Sequence, residues 1–91
     1  MNFGQAIESL KSGMKVARNG WNGKGMWLVF TPGRVIENVE PNSFYDKCGF
    51  EAPVKICSHI DMKAADGSMV VGWLASQTDM LAEDWYVVGN A

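Results

Sequence analysis

The chain has 91 residues, 47% of them hydrophobic and 20% charged, with ten acidic groups against eight basic ones and a formal net charge of −2. This is the composition of one globular domain spanning 1–91; it excludes a disordered chain, and no apolar run nears the ~20 residues of a membrane span. A net-acidic chain is also a poor match to a nucleic-acid backbone, which calls for a broad basic surface.

Phe3, Ala6, Ile7 and Leu10 recur at the spacing of one helix face, with Asn2 placed to cap the start and Gly13 the end. A helix of about ten residues is too short to stand alone, so it is expected to cover a sheet. Lys15–Arg18 alternates as a short strand. Asn19-Gly20 and Asn22-Gly23 then mark tight turns on either side of Trp21. Met26–Thr31 is a strong strand closed by Pro32-Gly33, and Arg34–Ile36 returns as a further short one. From Glu37 to Pro53 periodicity is lost and a loop is expected, its Phe44, Tyr45 and Phe50 packed against the body or another subunit.

Lys55–Lys63 reads as a strand, Ala65-Asp66-Gly67-Ser68 as a turn and Ser68–Leu74 as the returning strand of a hairpin. Ser76 and Asp79 have the spacing of a capping box before a short helix over 77–83. Trp85–Val88 is a last strand, and Gly89–Ala91 a tail. The order predicts an α+β fold: a small antiparallel sheet with an N-terminal amphipathic helix and a short C-terminal helix.

So small a domain buries only roughly 60–65% of the surface its unfolded chain exposes. It needs a staple, a metal, a dense aromatic core or a partner subunit. Cys48 and Cys57 lack zinc-site spacing and are expected to be free, buried or half-buried thiols of a reducing compartment. Met1–Gln5 carries no basic or long apolar stretch, so no secretory signal is expected. Four Trp, four Phe, two Tyr and six Met remain to stabilise the domain, and with them a homo-oligomer is expected.

Chemistry is sparse. There is no nucleophile turn with a Ser/His/Asp set, no phosphate-binding loop ending in Lys and no HExxH, so no catalytic group or metal is nominated. The single histidine, His59, reads as a hydrogen-bonded structural residue sharing a strand face with Asp61. Charge is uneven: residues 1–36 balance at +4 and residues 37–91 at −6. The basic half holds the most informative segment, Arg18-Asn19-Gly20-Trp21-Asn22-Gly23-Lys24-Gly25. Its turns expose N–H groups that can cradle an anion, Arg18 and Lys24 add charge, Trp21 offers a stacking face and Asn22 a donor and an acceptor. An equal reading is a hairpin tip with Trp21 folded onto the core. The N-terminus of the helix after Ser76, with Asp79 in its first turn, is the second candidate, against a capping box that only starts a helix. Trp73 and Trp85 are expected in the core.

Three blocks together carry a family resemblance: Val16-Ala17-Arg18-Asn19-Gly20-Trp21-Asn22-Gly23-Lys24-Gly25-Met26, His59-Ile60-Asp61-Met62-Lys63-Ala64-Ala65-Asp66-Gly67, and Trp73 through Trp85. In order and spacing they resemble the Thoeris anti-defence type 2 family of small phage and prophage proteins. Residues 37–54 match it least. The resemblance implies a sponge and not an enzyme. It would bind a cyclic ADP-ribose isomer, made from NAD by a bacterial TIR-domain enzyme, and hold it intact away from its effector. It further implies homo-oligomers, tetramers, with ligand pockets at subunit contacts, in the cytoplasm of the infected or lysogenic host. Some members are also implied to hold cyclic dinucleotides in a separate site. No cofactor, nucleic acid or membrane is implied. On this basis Arg18, Trp21, Asn22, Lys24, Met26, Asp61, Ser76 and Asp79 are the candidate ligand-binding residues. Trp21 would stack the base, Arg18 and Lys24 would hold phosphates, and Asn22 and Asp79 would bond the ribose or base edge.

Overall fold

Asn2 starts the first helix, α1 (Phe3–Lys11), through a full capping box: its side chain accepts from Gln5 N at 2.8 Å, and the Gln5 side chain accepts from Asn2 N at 2.9 Å. Gly13, at φ +94°, ends it as expected. The computed structural model describes residues 1–22 and 24–91; the expected Asn22-Gly23 turn falls partly on Gly23, outside the described residues.

Five strands form the main sheet: β1 (Met14–Arg18), β2 (Trp27–Thr31), β5 (His59–Lys63), β6 (Met69–Val70) and β7 (Trp85–Asn90). Their order is β6-β5-β2-β1-β7, and the pairs are antiparallel. A separate two-stranded ribbon pairs β3 (Arg34–Ile36) with β4 (Val54–Ile56). Between these two strands lies one helical turn, α2 (Phe44–Lys47), and α3 (Gln77–Leu81) precedes β7. The ribbon makes the molecule long, 46 × 26 × 25 Å. At its root a side chain on Gly33 would meet the Ile56 carbonyl at 2.5 Å, so only glycine fits there.

Alternation assigns the two sheet faces. Val16 pairs with Leu28, Leu28 with Met62 and Phe30 with Ile60, and all turn toward α1. Ala6, Leu10, Val16, Leu28 and Trp85 form the buried core, with Phe3, Ile7, Trp21, Trp73 and Ala82 packed against it. Trp27, Val29, Thr31, His59, Asp61 and Lys63 therefore share the opposite face, turned away from α1.

Several expectations need correction. Lys55–Lys63 is not one strand: Cys57 and Ser58 break it into β4 and β5, which belong to different sheets. The returning strand is only Met69–Val70, and the helix after Ser76 ends at Leu81. The expected tail is instead part of β7, where Gly89 pairs with Lys15 and Asn90 with Met14. Asn19-Gly20 begins a 3₁₀ turn, Asn19–Trp21. Phe44 and Phe50 are exposed and pack edge-on against Tyr45, at 5.2 and 5.8 Å, instead of gripping the body. Both cysteines are free, as expected, but exposed. No helix among the described residues is long and apolar enough to cross a membrane.

Candidate functional site

β1 ends at Arg18, and the chain leaves it through a turn held by Asp84, just before β7. The Asp84 carbonyl accepts from Asn19 N at 3.1 Å, and its Oδ2 accepts from Gly20 N at 2.8 Å. Its Oδ1 accepts from Arg18 Nε, also at 2.8 Å. Arg18 Nη1 donates to Asp79 Oδ1 at 2.8 Å, so one guanidinium bridges two carboxylates, with its side chain only 14% exposed. Asp79 is fixed in turn by the capping box with Ser76: its Oδ2 accepts from Ser76 N at 3.2 Å, and its N–H donates to Ser76 Oγ at 3.1 Å. Its carbonyl accepts from Trp85 Nε1 at 3.0 Å.

The charges respond as this geometry requires. The Asp84 carboxyl is held below its ordinary value chiefly by the Arg18 hydrogen bond, against some desolvation. For Asp79 burial is the largest influence and pushes upward, but bonds from Arg18 and Ser76 outweigh it and the net shift is downward. Arg18 is raised, first by Asp84 and then by Asp79. This clamp sets the direction of Trp21, whose ring meets the buried Trp85 edge-on at 5.4 Å. Asn22 follows in the left-handed region, at φ +56°, and is exposed. Trp21 leans on the core, as the hairpin-tip reading has it, and still presents an open side.

That open side lines a cavity of about 80 Å³, walled by Arg18, Trp21, Lys24, Gly25, Met26, Trp27, Tyr86 and Val88. Four of the eight candidate residues, Arg18, Trp21, Lys24 and Met26, thus meet in one place. Asn22 adjoins Trp21, Asp79 holds Arg18, and Ser76 caps α3. Asp61 does not join them. It is 7% exposed and accepts from Thr31 Oγ1 at 2.6 Å and Gly72 N at 2.9 Å. The His59 Nε2 lies 3.4 Å from Asp61, and Nδ1 lies 2.8 Å from the Cys57 carbonyl, the hydrogen-bonded role expected of that histidine.

Sequence reasoning missed Trp27, Tyr86, Val88 and Asp84. Trp27 had a usable signal, since alternation with Leu28 and Phe30 turns it to the other face. Asp84 had none, because its partners lie 64 and 66 residues away. A second, larger cavity of about 360 Å³ lies between β5 and the ribbon, lined by Thr31, Pro32, Arg34, Tyr45, Ile56, His59 and Val71. Among the described residues His, Cys, Asp and Glu nowhere gather in threes able to hold a metal.

Comparison with known proteins gives two findings. The model of the Thoeris anti-defense 2-like domain matches residues 1–88. The chain is also 41% identical over 88 residues to Thoeris anti-defense 2 of Bacillus phage SP01, covering 97% of this chain and 94% of that protein.

Proposed function

The chain belongs to the Thoeris anti-defense 2-like family, and from that premise we propose that it binds a cyclic ADP-ribose isomer made by a TIR-domain enzyme and holds it uncleaved. The observation that carries the reading is the cavity that joins Trp21 and Trp27 to cationic Lys24 at the tip of β1 and β2. Aromatic walls suit a purine, the nearby cation suits a pyrophosphate, and the exposed Asn22 suits a base edge or ribose. Arg18 serves this site mainly from behind, by setting the turn that presents Trp21, since two carboxylates compensate its charge and take three of its five N–H donors.

Size supports the assembly. Ligand pockets run to ~300–1,000 Å³, and about 80 Å³ has room for two or three waters, not a cyclic dinucleotide-sized molecule. One chain supplies a floor, and a second copy would supply the roof. Exposed Val71, Leu74 and Leu81 offer apolar surface for such contacts, in keeping with a homo-oligomer, a tetramer in this proposal. Enclosure between rigid subunits suits a sponge, which must hold a scarce signal at about nanomolar affinity, or about −12 kcal/mol. The protein would act in the cytoplasm of the infected or lysogenic bacterial host.

A second reading, a sponge for cyclic dinucleotides, draws on the larger cavity with Arg34, Tyr45 and His59. Degradation of the signal draws least support, because both ring nitrogens of His59 face partners within the chain. The test is calorimetric titration with the product of a TIR enzyme, then denaturation and chromatography of the released ligand. Tight binding with the ligand returned intact is the expected result. A cleaved ligand would replace the sponge with an enzyme, and no binding would remove this ligand class.

A further inference from the structure

A pyrophosphate entering the cavity needs positive charge that is not already compensated. Arg18 is a poor source, because Asp79 and Asp84 both bond its guanidinium at 2.8 Å. The sheet face turned away from α1, beside the cavity, supplies further cations. Lys15 Nζ lies over the Trp27 ring, 4.9 Å from its centroid, and Lys63 Nζ lies 6.0 Å from the same centroid. Trp27 is itself a cavity wall. The three residues come from three adjacent strands, β1, β2 and β5, with Trp27 and Lys63 direct partners across β2 and β5.

Two details tie these lysines to the cavity rather than to bulk solvent. Lys63 Nζ donates to the Gly25 carbonyl at 3.3 Å, and Gly25 also lines the cavity. An ammonium has three donors, so two stay available. Both lysines are half-buried, their stems lying along the sheet, so less motion is lost when an anion is gripped. Among the described residues neither lysine has a carboxylate within ion-pair distance, in contrast to Arg18 and Lys11.

We propose that Lys15 and Lys63, held over Trp27, form the anion-binding half of the ligand site and take the pyrophosphate of the nucleotide signal. The proposal rests on the signal-binding reading above and adds to it two residues and a division of labour. The aromatic walls take the base, and the K–W–K row takes the charge together with Lys24 at the cavity wall. Arg18 shapes the turn.

The test uses two probes on the 91-residue chain and on its Lys15→Gln/Lys63→Gln variant, with Lys11→Gln as a charge control on the helix-covered side of the fold. The first probe is inorganic pyrophosphate, followed through the Trp27 indole N–H resonance. The second is the TIR-enzyme product, followed by calorimetry. Pyrophosphate should shift the Trp27 resonance in the parent protein and in Lys11→Gln, but not in the double variant. The TIR product should bind the double variant about 10- to 100-fold more weakly, with thermal unfolding nearly unchanged. A Trp27 resonance insensitive to pyrophosphate, or a folded double variant with parental affinity for the TIR product, would overturn the proposal. A pyrophosphate response without binding of the TIR product would uphold this anion site and sink the proposed signal instead.

Discussion

Trp21 links fold and ligand, and Trp21→Ala separates the two. The ring is half-buried, so truncation exposes about 100 Å² of apolar surface, or about 2.5 kcal/mol. The edge-on contact with Trp85 adds about 0.5–1.5 kcal/mol beyond that area. The sum, about 3–4 kcal/mol, is a large share of the roughly 5–14 kcal/mol expected for a domain of this length. The variant should therefore fold at low temperature but melt about 12–30 °C earlier, since each kcal/mol moves the midpoint of a small domain by about 4–8 °C. Loss of a stacked base should weaken ligand binding by a further ~1–3 kcal/mol, about 5- to 150-fold in Kd. Urea unfolding gives the first number. Calorimetry on the folded variant near about 10 °C, well below its lowered midpoint, gives the second. Trp21→Phe should recover much of the stability, because a ring still reaches Trp85. Unchanged stability in Trp21→Ala would refute the packing argument. Parental affinity in the folded variant would remove Trp21 from the ligand site.

Acid should loosen the clamp. Asp79 and Asp84 have folded values below the ordinary 3.8, so their contribution is full above that value and is lost as pH falls through the lowered ones. Arg18, whose value the two carboxylates raise still further, stays charged throughout. Urea midpoints should hold steady from about pH 7 to about pH 5 and fall below about pH 4, with a shallower fall in Asp79→Asn; identical acid limbs in the two proteins would refute the clamp as their cause. Asp61→Ala leaves the Thr31 hydroxyl and the Gly72 N–H without their partner, and should cost about 2–4 kcal/mol by urea unfolding while ligand affinity stays within twofold. A large affinity loss with little destabilisation would return Asp61 to the ligand site. Ser76→Ala removes the cap of α3 and should cost about 0.5–2 kcal/mol, read by the same unfolding assay.

The sequence by itself determined the local elements. Phe3, Ala6, Ile7 and Leu10 fixed which side of α1 is buried, because a helix repeats every 3.6 residues whatever it packs against. The Ser76–Asp79 capping box and the left-handed glycine at 13 were equally legible, since both involve atoms a few bonds apart. The three family blocks were legible too, because a motif is a local object. Tertiary structure alone decided which segments became neighbours. Lys55–Lys63 alternates as one strand would, yet its halves pair into two different sheets. Gly89 and Asn90 carry no strong strand signal, and they pair because β1 offers them an edge. The largest difference concerns Arg18. Its charge was plain in the sequence, and so was its place beside a turn. That charge is compensated by Asp79 and Asp84, 61 and 66 residues away, while Lys15 and Lys63 keep theirs over a shared indole. A side chain's type sets the charge it can offer. Only the long-range register of strands, settled by burying Val16, Leu28 and Trp85 together, sets what that charge meets.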